Sequence, residues 1–202
     1  MTGSDARPRG GAHGIELVVM GGSAGSLDAL AALLPGLPPG WPLPLVLVIH
    51  LPRAGPSALP AVLAAHTALP VVEAEDKQPL ARGTIHVARP GYHLLVDAGP
   101  ALALSVEDPV HFSMPSVDVL FESAAATCGP SVAAVVLSGG NEDGSRGLAA
   151  VREAGGVVAV QAPEDAAMDL MPRAALRGCP DATVLPARAL GRFLAALAAG
   201  GS

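Results

Sequence analysis

Aromatic side chains are nearly missing from this chain, which has three Phe, one Trp and one Tyr in 202 residues. That scarcity removes the stacking platforms on which single-stranded nucleic acids lie. Charge is thin as well, at 15% of residues, and acidic groups outnumber Lys and Arg by 18 to 12. The resulting net charge of −6 excludes binding driven by a phosphate backbone. Only two cysteines occur, Cys128 and Cys179, without a CxxC partner, so the expectation is buried or half-buried thiols in a reducing cytosol. No apolar run reaches the ~20 residues of a membrane helix. The richest stretch, Leu37 to Leu51, is broken by Pro38, Pro39, Pro42 and Pro44. Met1 to Gly14 carries Arg7 and Arg9 but no apolar core followed by a small-residue cleavage site. The expectation is therefore a cytoplasmic protein with no membrane insertion and no nucleic acid partner, and with residues 1–14 as a flexible arm.

What the chain does have is aliphatic bulk. Half of its residues are hydrophobic, enough for one well-buried domain over residues 15–199. The organising stretch is Glu16-Leu-Val-Val-Met20, then Gly21-Gly-Ser-Ala-Gly-Ser26, then the apolar run Leu27 to Leu34. It reads as a strand buried on both faces, a tight glycine turn and a helix. Further continuous apolar strands are expected at Leu43 to Ile49, Leu69 to Ala74, Ser131 to Leu137, Val157 to Val160 and Thr183 to Leu185. Helices are expected at Ser57 to His66, Ser116 to Thr127, Leu148 to Ala154, Met171 to Arg177 and Ala187 to Ala199. Between Asp76 and Asp108 the spacing of Arg89-Pro-Gly91 and Asp97-Ala-Gly-Pro100 suits hairpins. Strands at Thr84 to Ala88, His93 to Val96 and Ala101 to Val106 are accordingly predicted to form an antiparallel appendage. The fold class is α/β, a three-layer, mainly parallel, doubly wound, Rossmann-like sheet with that appendage.

Ser23, His50 and Asp143 each follow a predicted core strand directly or within a few residues. The carboxyl ends of such strands line one edge of an open sheet, where α/β proteins hold their ligands. Ser, His and a carboxylate meeting there is the set acyl transfer requires: a hydroxyl that attacks, an imidazole that takes and returns its proton, and a carboxylate that orients the imidazole. Each residue also has a plainer reading. Ser23 is placed to cap a helix, His50 to bond backbone in the interior, and Asp143 to cap the helix beginning near Gly144. The order Ser, His, Asp, with the Ser after the first strand, differs from the Ser, acid, His order of α/β-hydrolases. A second class of reading is a phosphate- or nucleotide-binding turn at Gly21 to Ser26, although this is not a full G-x-G-x-x-G and no acidic residue follows it at the expected distance. Ser116 and Asp118, at a helix start, read as caps. His66, His86, His93 and His111 show no metal-ligand spacing, so neither metal nor cofactor is expected. Tyr92 and His93 read as shaping the fold.

Six blocks then carry a resemblance: Gly21-Gly-Ser-Ala-Gly25, Val48-Ile-His-Leu-Pro52, Ala88-Arg-Pro-Gly-Tyr-His93, Pro115-Ser-Val-Asp118, Leu137-Ser-Gly-Gly-Asn-Glu-Asp-Gly144 and Leu170-Met-Pro172. In this order they resemble the CheB-type protein-glutamate methylesterase domain over roughly Gly14 to Ala199. The resemblance implies a serine carboxylic-ester hydrolase that removes γ-methyl groups from glutamates of bacterial chemoreceptors, with deamidation of glutamine as a second activity of many members. It implies Ser23 as nucleophile, His50 as base and Asp143 as orienting acid, with Gly140, Ala24 and Gly22 around the oxyanion and substrate. The chain departs from the family pattern in three places. Ala24-Gly25-Ser26 stands where Thr and Gly-Gly are usual, Ser138-Gly-Gly-Asn141 where Thr-Gly-Met-Gly is usual, and Met114 where Arg is usual. A catalytically weakened regulatory domain is the reading that follows if these changes disable the site. Full-length relatives carry a phosphorylatable receiver domain, for which a first strand near residue 15 leaves no room. Control by a regulatory partner in trans, or none by phosphorylation, is the corresponding expectation.

Overall fold

The computed structural model describes residues 14–50, 58–99, 101–110 and 112–200. The expected arm before Gly14, the turn through Leu51 to Pro56 and His111 lie outside the described residues.

The glycine turn joins β1 (Leu17–Gly22) to α1 (Ser26–Leu33), and the chain returns as β2 (Leu45–Ile49). After α2 (Leu59–Ala64), β3 (Val71–Glu73) and β4 (Ile85–Val87) extend the same sheet outward. A hairpin of β5 (His93–Asp97) and β6 (Ala101–Ser105) precedes α3 (Val117–Cys128). The second half alternates β7 (Val132–Val136), α4 (Ser145–Glu153), β8 (Val157–Gln161), α5 (Leu170–Gly178), β9 (Thr183–Leu185) and α6 (Ala187–Ala199). The seven-stranded sheet has the order β3-β4-β2-β1-β7-β8-β9, and every pairing in it is parallel.

Burial on both sides explains the aliphatic runs. In β1, Val18 and Met20 point into one core with α1, α2 and α6, while Leu17 and Val19 point into another with α3, α4, α5 and the hairpin. Each fully buried Val or Leu contributes roughly 1.5–3 kcal/mol of transfer free energy, and buried Val and Leu make up half or more of β1, β2, β7 and β8. The three-layer reading is therefore realised, with β1 flanked by β2 on one side and β7 on the other. The strand order reverses at that point, and a crevice opens beyond the carboxyl ends of the strands.

One expectation needs correction. The segment around Ile85 is not part of the antiparallel appendage; β4 is a parallel strand between β3 and β2. Ile85, His86 and Val87 are all buried, so both faces of the segment are covered, which a two-stranded hairpin does not provide. Among the strands of the described residues, only β5 and β6 pair antiparallel. They lie against α3, where the Val96 amide donates to Ser123 Oγ at 3.0 Å and Thr127 Oγ1 donates to the Val96 carbonyl at 3.1 Å.

Candidate active site

Three neighbouring strand ends bring the site together. The Ser23 amide donates to the Ser138 carbonyl at 2.9 Å, beyond β7, and the His50 amide donates to the Gly22 carbonyl at 3.1 Å, beyond β2. Ser23 therefore stands between His50 and the loop that leads to Asp143. Its turn is closed by Ser26, whose amide and hydroxyl both donate to the Ser23 carbonyl, at 3.0 and 2.5 Å. Ser23 is not the cap of α1, because Gly25 occupies that position and no side chain caps it. Gly25 has φ +79°, and a Cβ there would lie 2.7 Å from Ser138 Oγ, so the turn requires glycine. Gly22 is buried in β1, and a Cβ on it would meet Ser26 Cβ at 2.6 Å.

The imidazole of His50 meets Asp143 through Nε2, 2.8 Å from Oδ2. The carboxylate is saturated. Its Oδ2 also accepts from the Val117 amide at 2.8 Å, and its Oδ1 accepts from Ser116 Oγ at 2.8 Å and the Asp118 amide at 2.9 Å. Asp143 therefore does not cap α4; it sits against the buried amides that begin α3, where the helix dipole favours a negative charge. Burial by itself raises the Asp143 carboxyl, but the hydrogen bond from His50 and the amides of Asp118 and Val117 outweigh it and hold the group below its ordinary value. An ionised carboxylate on Nε2 makes that nitrogen the donor, which leaves Nδ1 as the acceptor. Serine proteases use the opposite pairing, with the acid on Nδ1 and the base at Nε2.

On the Nδ1 side the neighbours are Asn141 Nδ2 at 3.4 Å and Ser113 Oγ at 3.5 Å. Asn141 Nδ2 also lies 3.3 Å from Ser113 Oγ, and its Oδ1 accepts from the Asp143 amide at 3.1 Å. Among the described residues the Ser23 hydroxyl makes no hydrogen bond to His50. The two residues are neighbours through their strand ends, the His50 amide bonding the carbonyl just before Ser23.

Around Ser23 the backbone amides divide into used and unused donors. Those of Ser23 and Gly139 are taken by the carbonyls of Ser138 and Met168, whereas Ala24 and Gly140 are exposed and their amides donate to none of the described residues. The buried Ser138 hydroxyl ties these loops to each other, donating to the Ala24 carbonyl at 2.8 Å and accepting from the Met168 amide at 2.9 Å. Ser138 Oγ also lies 3.2 Å from the Met168 carbonyl. His93 shapes the fold as expected: its Nδ1 accepts from the Ser116 amide at 3.1 Å and its Nε2 meets the Asp108 carbonyl at 3.1 Å.

A surface groove of about 630 Å³ lies on the other side of the Ser23 turn, lined by Gly25, Asp28, Gln161, Asp165, Ala167 and Arg188 among others. His50 and Asp143 do not line it. It borders the start of α1, and Asp28 and Asp165 share its lining with Arg188.

A family model described as CheB methylesterase matches residues 18–194. The chain belongs to the CheB methylesterase family. A Thermotoga maritima CheB methylesterase catalytic domain superposes with a TM-score of 0.86 at 30% identity, covering 91% of this chain and 98% of that one. A Leptospira interrogans protein with the provisional name protein-glutamate methylesterase/protein-glutamine glutaminase is 37% identical over 161 residues, 80% of this chain and 83% of its own. A Myxococcus xanthus protein-glutamate methylesterase/protein-glutamine glutaminase is 44% identical over 161 residues, which cover 78% of this chain but 46% of the relative.

Within this CheB methylesterase fold, sequence reasoning missed the contacts of Ser113 and Asn141 with the imidazole. Asn141 was visible only as a departure from the family pattern, and Ser113 gave no signal. Ser116 was read as a cap and is one, since it N-caps α3; its bond to Asp143 needed the tertiary structure.

Proposed function

We propose that the chain hydrolyses glutamate γ-methyl esters on a methylated chemoreceptor through an acyl-enzyme at Ser23, with His50 as base and Asp143 as its orienting acid. The observation that carries this reading is the bond from His50 Nε2 to a buried carboxylate with all its acceptor positions filled, on the strand end next to Ser23. The Ser23 hydroxyl attacks the ester carbonyl as its proton passes to His50 Nδ1. Negative charge on the carbonyl oxygen is met by the unused amides of Ala24 and Gly140, a role for which one donor is worth about 10²–10³ in rate. The imidazolium then returns the proton to the methoxy oxygen, the C–O bond breaks and methanol leaves. Water repeats the sequence in reverse on the Ser23 ester, leaving glutamate and free Ser23. Free thiols at Cys128 and Cys179 accord with work in the cytoplasm, and a regulatory partner chain remains part of the proposal.

The test is methanol release from a methylated receptor fragment, run beside labelling with a serine-directed fluorophosphonate. Ser23→Ala is expected to lose both while keeping the wild-type circular dichroism spectrum. Methanol release by Ser23→Ala at the wild-type rate rejects the reading.

A further inference from the structure

We propose that Asn141 determines the preference of this site for an ester over a carboxamide, an inference that rests on the hydrolysis proposed above. Whatever group leaves the acyl carbon takes its proton from His50 Nδ1 and must come within about 2.6–3.2 Å of that nitrogen. The leaving atom therefore arrives against the two groups already beside Nδ1, Asn141 Nδ2 at 3.4 Å and Ser113 Oγ at 3.5 Å. The orientation of the Asn141 amide is dictated by its other contacts. Its Oδ1 is held by the Asp143 amide at 3.1 Å, so the NH₂ group faces Ser113 and the imidazole.

That NH₂ group is a pure donor, and it distinguishes the two leaving groups. A methoxy oxygen has two lone pairs and no hydrogen. One pair takes the proton from Nδ1 while the other accepts from Asn141 Nδ2, the C–O bond breaks, and neutral methanol departs with the acyl group left on Ser23. In the tetrahedral adduct of a glutamine carboxamide, the nitrogen has one lone pair, which the Nδ1 proton consumes. Its remaining N–H groups then face the N–H groups of Asn141, and ammonia leaves without the hydrogen bond that Asn141 gives the methoxy oxygen. A donor facing a donor in this part-buried site is costly in a way that a missing contact is not.

The experiment measures methanol from a γ-methyl-glutamyl receptor peptide and ammonia from the matching glutaminyl peptide, for the wild type, Asn141→Asp and Asn141→Gly. The readout is the ratio of kcat/KM for amide over ester. Both substrates need Ser23, His50 and Asp143 alike, so a general loosening of the site lowers both rates and leaves the ratio unmoved. Asn141→Asp puts an acceptor beside the leaving nitrogen and is expected to raise the ratio about tenfold, with Asn141→Gly between it and the wild type. Should Asn141→Asp fail to fold, Asn141→Gly decides by itself. Ratios within roughly twofold of wild type in the folded variants overturn the inference. Failure of the underlying reading looks different: Ser23→Ala would then still release methanol.

Discussion

Asp118 and Asp143 each serve the other's helix. Asp143, one residue before the cap of α4, accepts the Val117 and Asp118 amides that open α3. Asp118, in the first turn of α3, accepts the Gly144 and Gly147 amides that open α4, at 2.9 and 2.8 Å. The two helix starts are locked to one another, and His50 is held by the lock.

The Asp143 carboxylate cannot be replaced by its amide. Four donors converge on the two oxygens of Asp143, so in Asp143→Asn an NH₂ group faces two of them in a buried site. The expected loss is about 1–3 kcal/mol in urea unfolding and about 10⁴-fold in methanol release, the scale seen when a triad Asp becomes Asn.

The two aspartates pull the acid response in opposite directions. Burial raises the Asp118 carboxyl; the Gly147 amide opposes this, and the charge of Asp143 adds to it. A raised folded value means Asp118 supplies stability below about pH 3.9, lost as the pH climbs through that raised value. Asp143, held below its ordinary value, supplies stability above about pH 3.9 that disappears as the pH falls through its lowered one. Asp118→Asn keeps an acceptor for α4 without the charge. Urea melts between pH 3 and 7 are therefore expected to show this variant gaining on the wild type as pH rises through the Asp118 titration. A gap that stays constant or narrows with pH contradicts this assignment.

Gly21 decides how closely α3 approaches the sheet. A Cβ at this position would lie 2.1 Å from Val117 Cγ1, inside a buried strand between two neighbours. Gly21→Ala must push back the first turn of α3, the turn that supplies amides to Asp143. Overpacking of this kind costs about 1–3 kcal/mol, measurable by thermal or urea unfolding, and methanol release is expected to fall at a temperature where the variant is still folded.

Much of this was legible along the chain because strands covered on both faces are written as unbroken aliphatic runs. Leu17 to Met20, Leu45 to Ile49 and Val132 to Val136 could be placed without knowing their partners. The segment at Ile85 was misplaced for the converse reason. Three residues between turns look alike as a hairpin arm or a short inner strand, and only burial on the second face, by neighbours distant in sequence, separates the two.

Local rules acting within a few residues were enough to put a hydroxyl, an imidazole and a carboxylate beyond three strand ends, since backbone alternation and glycine turns need no knowledge of the rest of the molecule. The chain by itself determined the sheet's longer strands, the turn and the identity of those three groups. Which imidazole nitrogen meets the carboxylate, which helix start that carboxylate serves, and which amide stands at the other nitrogen were decided by contacts spanning 25 to 93 positions. Such contacts exist only once the two layers have closed over the sheet, because hydrogen-bond direction is a property of the packed site and leaves no periodic trace in the sequence.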